Sequence, residues 1–231
     1  MTTNQVSVEE FTFGEFSSED NGHKVEAILK VLEESLDDKK TYQLFLKPTL
    51  NVQNIYSIHA MTDGTPITLP QAYNHDSANE DTTSVDPAFY TPSESFPEGA
   101  FPNSKYDSFL GFESSTPGQI SSIGIDFASW NDSKAITITD GSVFSMNPDF
   151  DNIKYDENEI MISQLTLDED QEIDITINIQ GQSTITGVNL YQIDDITFKY
   201  DPKDKDDDEE YEFIKKIKDS WNDFKSFFEK Y

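Results

Sequence analysis

The sequence predicts an all-β protein, an antiparallel β-sandwich of jelly-roll-like kind, followed by a C-terminal amphipathic α-helix. Three observations lead there. Short runs of β-branched and aromatic residues alternate with polar ones, as strands with one buried face require. Turns rich in Gly, Asp and Pro separate those runs at roughly 8 to 15 residue spacing. Apart from the ambiguous Val25 to Leu36, no helical stripe of crossover length intervenes before residue 200, and a sheet of parallel strands would need such stripes. A chain of 231 residues can bury a substantial core. Aromatic residues make up 13% of it, and they dominate burial per residue, so a folded body is expected over residues 1–200.

Taken in order, Val6 to Phe16 reads as an entry strand at a sheet edge, with Phe11, Phe13 and Phe16 spaced by Thr and Gly. Val25 to Leu36 fits two patterns. Val25, Ile28, Leu29, Leu32 and Leu36 form a helical stripe, whereas Val25, Ala27, Leu29 and Val31 fit a strand. Intrinsic propensity favours the helix. The turn Leu36 to Lys40 (LDDKK), leading straight into Thr41 to Leu46 (TYQLFL), favours a hairpin and hence the strand. Gln53 to Met61 and Thr65 to Leu69 flank an Asp63-Gly64 turn, a hairpin signal.

From Pro70 to Lys105 periodicity stops and Pro recurs at 70, 87, 92, 97 and 102. A long loop is expected, and Tyr73, Phe89, Tyr90, Phe96 and Phe101 should lay parts of it on the sandwich. Tyr106 to Trp130 (YDSFLGFESSTPGQISSIGIDFASW) reads as the central hairpin. Its arms are Tyr106 to Phe112 and Ile120 to Phe127, joined by Ser115, Thr116, Pro117 and Gly118. Ile123, Ile125 and Phe127 are expected on one buried face. Ala135 to Phe144 gives strand, Asp140-Gly141, strand. After an acidic loop from Met146 to Asn158, Ile160 to Leu167, Ile173 to Ile179 and Val188 to Tyr200 should form an antiparallel meander.

Asp201 to Glu210 (DPKDKDDDEE) breaks the composition with seven acids, two Lys and no apolar residue. Residues 201–211 therefore read as an exposed linker. In the helix expected over 212–231, Ile214, Ile217, Trp221, Phe224, Phe228 and Tyr231 are spaced 3, 4, 3, 4 and 3. That is a heptad stripe, and the six residues form a partner-binding face for another protein or for self-association.

The formal charge is −29, from 45 acids against 16 bases, every one of them Lys. Phosphate binding needs a basic footprint, so nucleic acid is not an expected partner. A membrane is disfavoured too, because interfacial helices carry a basic polar face and this one holds Glu212, Asp219, Asp223 and Glu229. Absence of Cys removes disulfides and thiolate chemistry. The opening MTTNQVSVEEF has neither the basic nor the apolar region of a secretory signal.

No catalytic motif emerges, and the chain is read as a non-enzyme. His23, His59 and His75 are too scattered for a metal-ligand spacing, and no phosphate-cradling glycine loop occurs. Calcium is the one cofactor considered. Asp149, Asp151, Asp156 and Glu157 in one loop, and Asp168, Glu169, Asp170 and Glu172 in another, cluster hard oxygen ligands without an EF-hand pattern.

Thr41 to Leu46 (TYQLFL), Gln53 to Ala60, Asp86 to Phe89 (DPAF), Tyr106 to Phe112 (YDSFLGF) and Ile123 to Trp130 together resemble a β-sandwich module of unknown activity. That module occurs in marine microbial secreted proteins and in structural proteins of phages and large viruses. The similarity spans Thr41 to Leu190, with Phe109 and Val143 standing where the module usually has Trp. The resemblance implies a sandwich with no catalytic residues to carry over. With no secretory signal it points to a virion component, or otherwise to an extracellular module that binds glycans or a cell surface through the 70–105 loop.

Overall fold

The structure is a computed structural model that describes residues 8–20, 22–33, 36–74, 89–90, 103–113, 119–147 and 159–203. The strands begin with β1 (Val8–Ser17), β2 (Lys24–Leu32) and β3 (Lys39–Leu50). These three form an antiparallel meander with β1 at the edge. The ambiguous segment is thus a strand. Asp37 in the left-handed region (φ 51°) and the Lys39 N–H donating to the Leu36 carbonyl close the turn into β3.

Next come β4 (Ser57–Ala60), β5 (Ile67–Leu69) and β6 (Phe89–Tyr90). Then follow β7 (Phe109–Leu110), β8 (Phe112–Glu113) and β9 (Ile120–Ile123). The last strands among the described residues are β10 (Ile136–Ile138), β11 (Gly141–Ser145), β12 (Ile160–Asp168), β13 (Ile173–Gln182) and β14 (Leu190–Tyr200). One five-stranded sheet has the order β1-β2-β3-β12-β7 and the other β14-β13-β4-β11-β9, with small pairs β10-β5 and β6-β8 beside them. Residues of both large sheets share one apolar core that includes Leu29, Leu44, Leu165, Ile58, Ile175 and Phe198. Ring contacts cross between the sheets, Phe11 to Tyr200 at 4.9 Å and Phe13 to Phe198 at 5.9 Å. The chain is an antiparallel β-sandwich.

Four sequence expectations change. The two Asp-Gly corners do not make hairpins. β4 pairs with β11 (Ala60 opposite Gly141) and β5 with β10 (Leu69 opposite Ile136), so these strands form one antiparallel ribbon bent at both corners. Gly124 (φ +73°) and Gly141 explain the corner: a Cβ on Gly124 would collide with the Asp140 carbonyl, and one on Gly141 would sit 3.0 Å from the Ile123 carbonyl. Close backbone approach is what these glycines permit.

The arms of Tyr106 to Trp130 do not pair with each other. β7 joins β12 in one sheet and β9 joins β11 in the other. The turn assigned to Ser115–Gly118 lies outside the described residues. Ile123 is 67% exposed at the end of β9, and after it the chain turns into a 3-10 helix, Phe127–Ser129. Phe127 is buried and Ile125 half-buried, so the alternation over Ile123 to Phe127 is not that of one strand face.

β12 does not belong to a meander with β13, because it crosses to the first sheet beside β3. An extra residue at Ile162 shifts its register, so Ile160 and Ile162 face the core before the shift and Leu165 and Leu167 after it. Its other face is buried as well. The Gln164 amide donates to the carbonyls of Lys105 and Asp107, Ser163 Oγ to the Phe109 carbonyl, and the Ser108 hydroxyl accepts from the Thr166 N–H. The two ends of the long Pro70 to Lys105 excursion therefore do lie on the sandwich, and most of its middle is outside the described residues. β13 and β14 form the predicted last hairpin.

Candidate functional site

Two hairpin loops, one from each sheet, meet at one end of the sandwich. The β1–β2 loop is closed by the Ser18 N–H donating to the His23 carbonyl (3.0 Å). Within it Ser18 Oγ donates to Asp20 Oδ1 (2.5 Å), Gly22 N–H donates to the same oxygen, and Ser18 Oγ accepts from His23 N–H. Short polar side chains thus satisfy a turn that cannot pair with a sheet. The β13–β14 loop turns at Gly187 (φ +88°), and Ser183 Oγ accepts from the Ile185 N–H (2.9 Å). The corner between β3 and β4 ties the two loops together. Asn51, itself left-handed (φ 55°), donates through Nδ2 to the Gly22 carbonyl and accepts from the Thr184 N–H.

Between the loops lies an open cavity of about 420 Å³ lined by Ser18, Glu19, Asp20, His23, Val188, Leu190, Tyr191, Gln192 and Asp194. His23 is 1% exposed and stacks on Tyr191, with ring centroids 4.8 Å apart. Its Nε2 lies 2.7 Å from Ser183 Oγ, while its buried Nδ1 has no hydrogen-bond partner among the described residues. An unmet buried polar atom costs about 1–3 kcal/mol, so Nδ1 is a local cost behind the cavity wall. Tyr191 is fixed from below. Its hydroxyl donates to the Asn54 carbonyl (2.8 Å), and burial pushes its phenol far up. Asn54 is clamped to β13 by reciprocal bonds with Gln182 (2.7 and 2.8 Å). Gly181 opens the room for this arrangement, since a Cβ there would collide with the Asn54 carbonyl.

Two carboxylates of the cavity, Asp20 and Asp194, are oriented by hydrogen bonds. The Ser18 hydroxyl, then the Gly22 N–H, hold the Asp20 carboxyl below the ordinary carboxylate range. Asp194 accepts from the Gln192 amide at 2.8 Å. On β4, one strand beyond β13, burial lowers the His59 imidazole and the charge of Asp194 opposes that shift. Ser183 and His23 are at the distance of a nucleophile and its base. The orienting acid of such a pair is missing among the described residues, because nothing there accepts from or donates to Nδ1.

Of the residues singled out from sequence, Asp168 and Asp170 are exposed and tied to lysines. Asp168 meets Lys39 Nζ at 2.5 Å and raises its pKa, and Asp170 lies 3.7 Å from Lys203. Among the described residues no group of three or more His, Asp or Glu is arranged to hold a metal ion. Asp149, Asp151 and Asp156 lie outside the described residues, as do Ile214, Ile217, Trp221, Phe224, Phe228 and Tyr231. Residue spacing does not reveal the cavity, because His23 stands 36 residues from the next histidine, His59. The readable signal was the stretch SSEDNGH, a polar turn ending in a residue that the strand pattern then buries. Among the described residues no helix is long and apolar enough to cross a membrane. No protein-family model, curated protein or solved structure matches the chain.

Proposed function

We propose that the chain is a non-catalytic structural or interaction protein, a virion component whose sandwich, jelly-roll-like in kind, is the body and whose helix over 212–231 docks it to another subunit. The observation that carries this reading is the order of apolar segments. β14 ends at Tyr200 after both sheets have joined one core. The next apolar stripe, Ile214 to Tyr231, lies beyond the run 201–210, which holds seven acids, two Lys and one Pro. A helix tethered that way reaches a separate surface more economically than its own core. The sheet edges favour association through such an appendage. β14 carries Asp194 and Asp195 at an irregularity where Asp195 is left-handed (φ 55°), and β1 is interrupted at Gly14. Charged, bulged edges resist strand-to-strand addition.

The test compares the full chain with a version ending at residue 203 and with Trp221→Asp, by light scattering and thermal melting. Loss of the oligomer or partner complex with an unchanged melting temperature supports docking. Unchanged mass with a melting temperature lower by several degrees would place the helix on its own sandwich.

A second reading, calcium-assisted glycan or cell-surface binding by the 70–105 loop, draws on β6. Phe89–Tyr90 pairs in parallel with Phe112–Glu113, which anchors the middle of the loop to the body. Selective glycan binding lost in Tyr90→Ala, or a melting temperature raised by calcium, would favour it.

A further inference from the structure

We propose that β9 is the edge at which two copies of this chain pair, antiparallel and two-fold, joining their second sheets into one. β9 ends that sheet, and no strand lies beyond it among the described residues. Its pairing with β11 shows which backbone groups are available. Met146 N–H donates to the Gln119 carbonyl (2.7 Å), whereas Ser145, opposite Ile120, turns its N–H the other way, to the Tyr56 carbonyl (2.8 Å). By the alternation of an antiparallel ladder, Ile120 and Ser122 therefore point their N–H and C=O groups outward.

This edge lacks the features that protect the others. β1 carries Glu9, Glu10 and Glu15, and β14 carries Asp194, Asp195 and Lys199. Gln119 to Ile125 and Gly141 to Asn147 contain no charged residue. In a chain of net charge −29 that is where a second copy meets least repulsion, while a basic partner would be drawn to the acidic surfaces instead. Apolar side chains mark the same place. Ile123 (67%) and Met146 (62%) are the most exposed large hydrophobics among the described residues. By strand alternation they stand with half-buried Phe144 on the face turned away from the core, which holds Ile120 and Val143.

The geometry also selects a register. The two-fold pairing that uses both outward residues of each copy sets Ile120 against Ser122 of the other and puts Ser121 opposite itself. Ile123 then lies beside the Gln119–Met146 row of the other copy, and the small Ser121 pair leaves room for Phe144 from either side. Gly124 (φ +73°) ends the edge and the pair uses it up, so assembly stops at two. This contact is separate from the proposed docking helix and stands or falls without it.

A short edge contact makes a weak dimer. Sedimentation equilibrium of the full chain, and of its Trp221→Asp variant, should therefore show the mass rising from one chain toward two through about 10 to 200 μM. Ser121→Asp and Ser121→Lys should each weaken self-association about fivefold by setting like charges face to face, and an equimolar mixture of the two should restore it. Ser121→Lys also lowers the net negative charge, so general repulsion alone would strengthen its association. In this cysteine-free chain Ser121→Cys should oxidise to a cross-linked dimer, because the opposed residues form a close, non-hydrogen-bonded pair. Thr68→Cys, exposed on β5, should stay monomeric under the same conditions. A monomer at every concentration, association lost in Trp221→Asp, no recovery in the mixture, or equal cross-linking at residue 68 would overturn the proposal.

Discussion

The meander β1-β2-β3 and the bent ribbon β4–β5 against β10–β11 carry equally clear turn signals, yet only the first has the pairing those signals suggest. In the meander the turn residues and the strand partners are neighbours in sequence. LDDKK closes β2 onto β3, and Val31 faces Tyr42 across it. In the ribbon each Asp-Gly marks a bend, but the partners come from elsewhere, with Ile58 opposite Val143 and Ile67 opposite Ile138. A turn fixes where the chain changes direction. Which strand lies alongside is decided by burial across the whole sheet.

The sharpest way to break this comparison is a cross-link, which either forms or does not. Thr68 and Thr137 are directly opposed across β5 and β10, with hydroxyls 3.5 Å apart. In a chain without cysteine, Thr68→Cys combined with Thr137→Cys should oxidise to one intramolecular disulfide, since opposed Cβ atoms suit the bond. Mass spectrometry of a non-reduced digest checks it. If β5 instead folded back on β4, the two thiols would stay free.

Next in size is the core both regions share. Leu44, fully buried on β3, should cost about 2 to 5 kcal/mol when changed to Ala, as large-to-small core substitutions do. Denaturant unfolding measures it, and a loss under ~0.5 kcal/mol would mean that the meander does not face the second sheet.

The pH response separates the regions more gently. His59 sits on β4 with its pKa lowered from 6.5, mainly by burial. The folded state therefore disfavours the charged imidazole, and the unfolded chain binds more protons as pH falls through that range. Its contribution is fully present above the unfolded value and is lost as pH drops through the lower folded value. Acidification also relieves repulsion in a chain of charge −29, which acts the other way. The informative quantity is a difference: between pH 7 and pH 5 the melting temperature of the native chain should fall relative to that of His59→Gln. A parallel course for the two proteins would show that His59 is as solvated when folded as when unfolded.

Much of the fold was legible because its elements are local. The strand nature of Val25 to Leu32, the last hairpin β13–β14 and the edge position of β1 follow from alternation and turn chemistry. The split of Tyr106 to Trp130 between two sheets was not legible, because a two-residue strand such as Phe109–Leu110 has no periodicity to read. The cavity was hidden for a related reason. Its residues come from positions 18–23 and 188–194, which meet only after two hairpins from opposite sheets are stacked.

The smallest effect tests the same point from the other side. Ile123, Ile125 and Phe127 look in sequence like one apolar strand face, and equal burial would make each costly to truncate. In the fold Gly124 (φ +73°) breaks that face, leaving Ile123 67% exposed, Ile125 half-buried against the core and Phe127 buried in a 3-10 helix. Ile123→Ala should therefore stay within about 0.5 kcal/mol of the native chain, the usual range for a surface position. Ile125→Ala should fall between that value and the cost at Leu44, because only part of its side chain leaves water on folding. Measured together by denaturant unfolding, the two substitutions grade the break at Gly124. Equal large losses at 123 and 125 would restore a continuous strand and place β9 deeper in its sheet, whereas a graded pair shows an edge strand ending where the glycine turns it.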